Sequence, residues 1–406
     1  MENKKSVIAI IVVAALGYFV DIYDLILFSI VRIASLKSLN VPDGQLLDTG
    51  VLLLDMQMGG MLLGGIIWGV LGDKRGRISV LFGSIFLYSL ANILNGFVQN
   101  IEIYALLRFV AGIGLAGELG AGITLVSEVM PKTKRGYGTM IVASIGVMGA
   151  VAAALIVELT EWRTSYIIGG IMGFTILVLR FGVYESGMYN SIKEASNVGR
   201  GQFVKLFTDK GRFLKYMYCI LIGLPLWFVV GILITFSPEF GKAFGITEPV
   251  SAGKAVMYCY IGLVIGDILS GSLSQLWKSR KKTLYYFLGA TLACVCIYLF
   301  LNSYGVYYFY TICVLIGTAV GYWAIFVTNA SEQFGINLRS TVTTTVPNFV
   351  RGSVIPLTLI FQALKPLMGI KYAAFAIGIV TITIAFWAAS KLEETFHKDL
   401  NYTEVT

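Results

Sequence analysis

Histidine occurs once in the 406 residues, as His397 in a polar C-terminal stretch. No His-based triad, haem site or zinc site can therefore be assembled inside an apolar segment. Cysteine is sparse as well. Cys219, Cys259, Cys294, Cys296 and Cys313 all fall in apolar runs, with neither metal-ligand spacing nor the density of a secreted disulfide scaffold. No metal, redox centre or cofactor is expected. Charged residues are the third scarcity, at 13% of the chain against roughly 25% in an ordinary soluble domain. That excludes a soluble enzyme. What is abundant is apolar: 57% of the residues, with 45 Gly and 25 Phe but only 8 Pro and a mean hydropathy of +0.79. This composition predicts an all-α integral membrane protein with many spans. No nucleotide loop and no nucleophile with its base is present, so membrane enzyme chemistry is not expected either.

A bilayer core about 30 Å thick needs about 20 apolar residues per helix. Such runs occur at 7–31, 47–71, 78–98, 103–129, 139–158, 163–183, 214–237, 253–276, 283–301, 306–329, 342–364 and 371–391. Twelve transmembrane helices follow, numbered here as spans 1 to 12. The first run is too long for a signal-peptide core and carries two aspartates, so it is read as a retained helix. With the N-terminus placed in the cytoplasm, Arg32, Lys37, Arg163, Lys242, Lys254, Lys365 and Lys371 fall outside and Arg108 and Arg351 within spans. The remaining Lys and Arg of the 31 lie inside, as the positive-inside rule requires. Both termini are thus expected in the cytoplasm of a bacterial inner (plasma) membrane. The +8 net charge is explained by loops that orient helices and touch anionic headgroups, without a nucleic-acid partner. The divisions expected are an N-terminal bundle over 1–183, a linker over 184–213, a C-terminal bundle over 214–391 and a tail over 392–406, in a monomer.

Sliding the chain on itself exposes a repeat. Ser127-Glu128 with Arg135 seven residues on matches Ser331-Glu332 with Arg339, and Thr139 matches Thr343, all at an offset of 204. A weaker match sets Gly69-Val-Leu-Gly-Asp73-Lys-Arg-Gly76-Arg77 against Gly271-Ser-Leu-Ser-Gln275-Leu-Trp-Lys-Ser-Arg280, where Gln275 replaces the aspartate. Two parallel six-helix repeats imply a transporter with its site at the midplane between two pseudo-symmetric halves.

At these residues the sequence resembles the major facilitator superfamily over essentially its whole length. Gly72-Asp73-Lys74-Arg75-Gly76-Arg77 is similar to the superfamily's loop between spans 2 and 3. The segment Arg108-x3-Gly112-x-Gly114-x2-Gly117-Glu118-Leu119, followed by Glu128, Pro131, Arg135 and Gly136, is similar to span 4 and its exit in sugar-porter, niacin-type and metabolite:proton symporter branches. Asp21-Ile-Tyr-Asp24 resembles span 1 of aromatic-acid:proton symporters, and Leu392-Glu-Glu-Thr-Phe396 suits the region after span 12. Gln275, and a Tyr184-Glu185-Ser186 that matches the sugar-porter motif only loosely, speak against sugar transport. The resemblance implies a charged latch at the cytoplasmic end, made of Asp73, Arg75, Arg77, Glu128, Arg135, Glu185, Glu332 and Arg339, with Arg75 and Arg77 facing Glu128 and Glu185.

Ionisable groups inside a span cost about 2.5–3.5 kcal/mol each and by default mark a pathway or relay. Asp21, Asp24, Asp55, Glu118, Asp267 and Arg351 qualify, with Arg108 at shallower depth. Asp21 and Asp24, spaced i,i+3, share a face. Two carboxylates there cannot both stay ionised cheaply, so one is expected to carry a proton. Asp21, Asp24, Glu118, Asp267 and Arg108 are therefore the expected proton-coupling set. Arg108 can also simply pair with an aspartate or reach outward. Arg351 is expected to bind a substrate anion, because a guanidinium stays charged and matches a carboxylate. A structural ion pair is its competing role. Asn348 and Thr344 continue a polar stripe on its helix, and Tyr322 and Trp227 supply aromatic surface in the second half. The function expected is proton-coupled symport of a small organic anion by alternating access. Two other readings compete with it: a proton-driven exporter of cationic or amphipathic compounds, and a non-transporting sensor with the same fold.

Overall fold

The computed structural model describes residues 4–130, 135–180, 203–300, 305–398 and 402. Among them eleven helical stretches are long and apolar enough to cross a membrane, the last being the 53-residue Arg339–Lys391. Gly369 breaks that stretch with φ 77°, a left-handed conformation that glycine adopts without strain. It therefore comprises spans 11 and 12, and the total is the twelve that the apolar runs predict. The expected linker lies largely outside the described residues, and span 7 begins at Lys210.

The order of elements is α1 (Lys4–Ser38), α2 (Leu46–Arg75), α3 (Arg77–Asn95), α4 (Ile101–Leu115), α5 (Glu118–Val129), α6 (Arg135–Leu159) and α7 (Trp162–Leu179) in the first half. The second half has α8 (Lys210–Phe228), a short α9 (Ser237–Ala243), α10 (Ala252–Leu276), α11 (Arg280–Phe300), α12 (Val306–Val320), α13 (Trp323–Gln333), α14 (Arg339–Gly352) and α15 (Val354–Lys391). Span 4 is α4 with α5, broken at Ala116–Gly117. Span 10 is α12 with α13, broken at Gly321–Tyr322. The two breaks stand at nearly the repeat offset, so the halves share their irregularity as well as their helices. Pro225 in α8, Pro347 in α14 and Pro366 in α15 lie inside helices and have no N–H to give to the ladder. Pro225 in α8 precedes a π-helical turn over Val229–Ile234, and Pro356 follows the discontinuity at Ser353 between α14 and α15.

Two seams join the halves: α2 packs along α14, and α6 along α10. Small residues permit the close approach. Side chains added at Gly65, Gly69 and Gly72 of α2 would meet Asn348, Thr341 and Ser340, and one at Gly120 of α5 would meet Thr344. The tail after span 12 folds back onto the second half at the end of the bundle that carries the loop between spans 2 and 3, called here the inner end. Glu394 accepts from the backbone N–H of Arg280 and Lys281 at 2.9 and 3.2 Å and from the Ser279 hydroxyl. Burial alone would raise its pKa, yet these bonds hold its carboxyl below the ordinary range.

Candidate functional site

Arg351 sits at the last turn of α14 and is 1% exposed. Its guanidinium faces Asp21 of span 1, in the other half, at 3.8 Å. Among the described residues only its Nη1 has a hydrogen-bond partner, the Asn348 Oδ1 at 3.2 Å; Nε and Nη2 have none there, and neither has either oxygen of Asp21. The Trp227 and Trp323 rings flank the guanidinium carbon, with centroids at 5.9 and 5.6 Å. Trp323 donates its Nε1–H to the Tyr18 hydroxyl at 2.8 Å. Tyr18, Trp227, Tyr260, Trp323 and Arg351 line a cavity of about 10 Å³ between the halves, room for about one water. The arrangement sets a charged group with unmade bonds between aromatic faces and opposite a carboxylate, in a cavity closed down to about the size of a water.

Asp267 of α10 bonds to the chain at the break in span 10. Its Oδ1 accepts the Ala324 N–H at 3.0 Å, capping α13 from another helix, while Oδ2 has no partner. Tyr322, at the break itself, is fully buried and donates to the Ile222 carbonyl at 3.0 Å. Asn348 donates to the Ala116 carbonyl at 2.7 Å and to Thr344 O at 2.7 Å. It thereby satisfies a carbonyl beside the break in span 4. Of the five residues expected at a binding surface, Arg351 and Trp227 line the cavity, whereas Asn348, Thr344 and Tyr322 are engaged in holding helices together.

The expected proton-coupling set is dispersed. Asp21 faces the second half, and Asp24 points within the first, where a Cβ at Gly169 would collide with it. Glu118 is paired in both its oxygens with Arg180, which also donates to Leu81 O at 3.0 Å. Arg180 was counted among the cytoplasmic loop charges; it is 2% exposed. Its place at the end of span 6 gives no hint that its side chain turns inward. Arg108, expected at shallow depth, is fully buried, bonds Gln57 and lies over the Phe28 and Tyr166 rings. No aspartate is its hydrogen-bond partner. Gln57 was missed, being uncharged. Tyr18 had a readable signal, since it precedes Asp21 by three residues on one helix face. Asp55 accepts from Thr358 of α15 at 3.2 Å.

The inner end is shut by contacts across the halves. Asp73 Oδ1 accepts the Ser340 N–H at 3.2 Å, and its Oδ2 accepts the Thr341 N–H at 2.8 Å and the Thr341 hydroxyl at 2.6 Å. A carboxylate from one half is thus the N-terminal cap of a helix in the other. Glu128 and Arg339 stand 3.9 Å apart across the same seam. Glu332 is paired with Arg280 inside the second half instead, at 3.2 Å. Arg75 ends α2 as an exposed residue, because Gly76 (φ 102°) turns the chain immediately after it. Among the described residues it forms no ion pair with Glu128. The Arg77 and Arg135 side chains and all of Glu185 lie outside the described residues. The outer end is shut too: Arg32 donates to Glu239 at 2.8 Å and lies over Phe236, and Ser29 meets Thr235 at 3.2 Å. The conformation is occluded.

Substituting Asp73 by alanine removes a charged cap valued at about 2 kcal/mol at most, a shift of up to about 30-fold in a two-state equilibrium. The inner ends are expected to separate. Spin labels at the exposed positions Arg75 and Lys282 report that distance, which should lengthen. An unchanged distribution removes Asp73 from the latch.

The Major Facilitator Superfamily model matches residues 14–364. The chain is 26% identical over 319 residues to the niacin transporter NiaP of Acinetobacter baylyi, covering 69% of this chain and 70% of that one. It is 26% identical over 276 residues to the gentisate transporter of Corynebacterium glutamicum, covering 63% and 61%. The solved proton:xylose symporter XylE, bound to 6-bromo-6-deoxy-D-glucose, superposes with a TM-score of 0.76 over 98% of both chains at 14% identity, a likeness of fold. Twelve spans in two halves, an occluded midplane cavity and a matching family model converge: the chain is a membrane transporter, not an enzyme, and belongs to the major facilitator superfamily.

Proposed function

We propose that this transporter carries a small organic anion together with a proton, by alternating access at the cavity around Arg351. The observation that carries this reading is the incomplete pairing of Arg351. At 3.8 Å from Asp21 the pair attracts without a hydrogen bond, and the free Nε and Nη2 are the donors that a substrate carboxylate would accept in fork geometry. Asp21, relieved of its counter-ion by the incoming anion, is the group that would take up the proton. The binding of one then favours the binding of the other, which is what coupling requires. The names of the niacin and gentisate transporters support an organic-acid cargo. Under export of cations, the competing reading, Arg351 would serve only as the ion-pair partner of Asp21, and its free donors would go unused.

The test is uptake by proteoliposomes under an imposed pH gradient, acid outside. Carboxylates such as nicotinate and gentisate are expected to accumulate, to do so less once the gradient is collapsed, and to exchange in counterflow. Accumulation of amines alone, or no counterflow of any carboxylate, refutes the reading.

A further inference from the structure

A second cavity, of about 240 Å³, opens at the inner end of the second half, far in the chain fold from the Arg351 site. Lys215 and Tyr218 of α8, Lys391 at the last turn of α15, Gln333 and Glu393 form its wall, with Gly211 from the first turn of α8. Two lysines stand over one pocket. Among the described residues neither has a carboxylate partner. Lys215 Nζ rests 5.3 Å from the Phe334 ring centroid, which fixes the ammonium without neutralising it. Lys391 is exposed. The carbonyls at the end of α15 do not need it, because Lys281 Nζ already takes Ser390 O and Leu392 O at 3.0 and 2.7 Å. Glu393, the one carboxylate on the wall, is exposed, and its backbone carbonyl accepts from Gln333 at 2.9 Å. Two ammonium groups against one carboxylate leave the side chains of the pocket wall with a positive balance.

The pocket's membrane side is aromatic. Trp387, one helical turn before Lys391, is half exposed and meets Tyr218 edge-to-face at 5.3 Å. An amphipathic Trp–Tyr pair beneath two cations is the arrangement found at headgroup depth, where rings lie among the upper acyl carbons and ammonium groups reach the phosphates. We propose that this pocket binds the headgroup of an anionic phospholipid, with the phosphodiester between Lys215 and Lys391 and the glycerol backbone against Tyr218 and Trp387. The hydroxyls of a phosphatidylglycerol headgroup then have Glu393 as an acceptor. The bound lipid ties α8 to α15 and to Gln333, the last residue of α13.

Native mass spectrometry of the full chain in detergent tests this with phosphatidylglycerol and phosphatidylcholine. Phosphatidylglycerol is expected to bind the wild type about 25-fold more tightly than the K215A/K391A variant, at roughly fivefold per lysine near a charged surface. K215R/K391R keeps the affinity, and phosphatidylcholine does not distinguish the variants. Equal phosphatidylglycerol binding by wild type and K215A/K391A overturns the proposal. So does displacement of the lipid by millimolar inorganic phosphate, which identifies a soluble-anion site. If the double alanine variant fails to fold, K391E, at an exposed position, reports the same loss.

Discussion

Uptake of an organic anion should fall at least about 100-fold on Arg351→Ala, since the hydrogen-bonded charge contact proposed between this guanidinium and a substrate carboxylate is worth several kcal/mol when one partner is truncated. The loss is expected in substrate affinity as well as turnover. Two terms add: the donors for the carboxylate go, and Asp21, which is fully buried, loses the cation opposite it. The second term can be isolated. R351A/D21N no longer strands a carboxylate, so its thermal unfolding should lie above that of R351A, while its transport stays as low. R351K keeps a charge but not the fork, and should retain weak uptake only. Wild-type uptake in R351A refutes the role proposed for this side chain and leaves the family assignment untouched.

The largest effect on stability is expected at Glu118. Its pair with Arg180 is sealed on both sides, at 0% and 2% side-chain exposure, and Gly17 of span 1 leaves the space in which the two meet. Glu118→Gln removes the counter-charge from a guanidinium that cannot give up its proton. The uncompensated cation costs about 3–5 kcal/mol. Arg180→Met is expected to be milder, because the carboxyl left behind can be neutralised by a proton. The pair replaced together by apolar residues, E118L/R180M, should unfold at a temperature near that of the wild type. Melting curves of the purified variants decide it. If E118Q and R180M are equally harmless, the pair is not a structural element. If E118Q melts normally but loses pH-driven uptake, Glu118 belongs to the proton path.

Much of the fold could be read from the letters because the bilayer leaves few choices. A run of apolar residues must be a helix there, since every backbone group has to be satisfied within its own segment. The repeat at Glu128 and Glu332 located the halves, and Asp73 stood out because a negative charge in that loop serves no topological purpose. Legibility stopped at side-chain direction. Arg180 was misjudged because depth along a helix is written in the sequence, but the turn of a long flexible side chain into the bundle is not. The broken spans escaped as well. Gly117 and Gly321 stand in glycine-rich stretches where close packing explains any single glycine. Asn348 carries a contact that its place in the sequence does not reveal. A polar residue in line with Arg351 invites a ligand, yet its amide serves a carbonyl of the other half.

That last contact has a consequence for motion. The Ala116 carbonyl lies beside the discontinuity in span 4, and the amide that satisfies it is contributed from across the seam. Any swing that parts α14 from the first half strips this oxygen of its donor in a low-dielectric setting, a penalty of about 1–3 kcal/mol. Solvent entering the widening cleft can remove the penalty, and lipid tails cannot. Hydration of the cleft and separation of the halves are therefore one event, and a solute small enough to leave that oxygen wet travels more easily than one that fills the cleft dry.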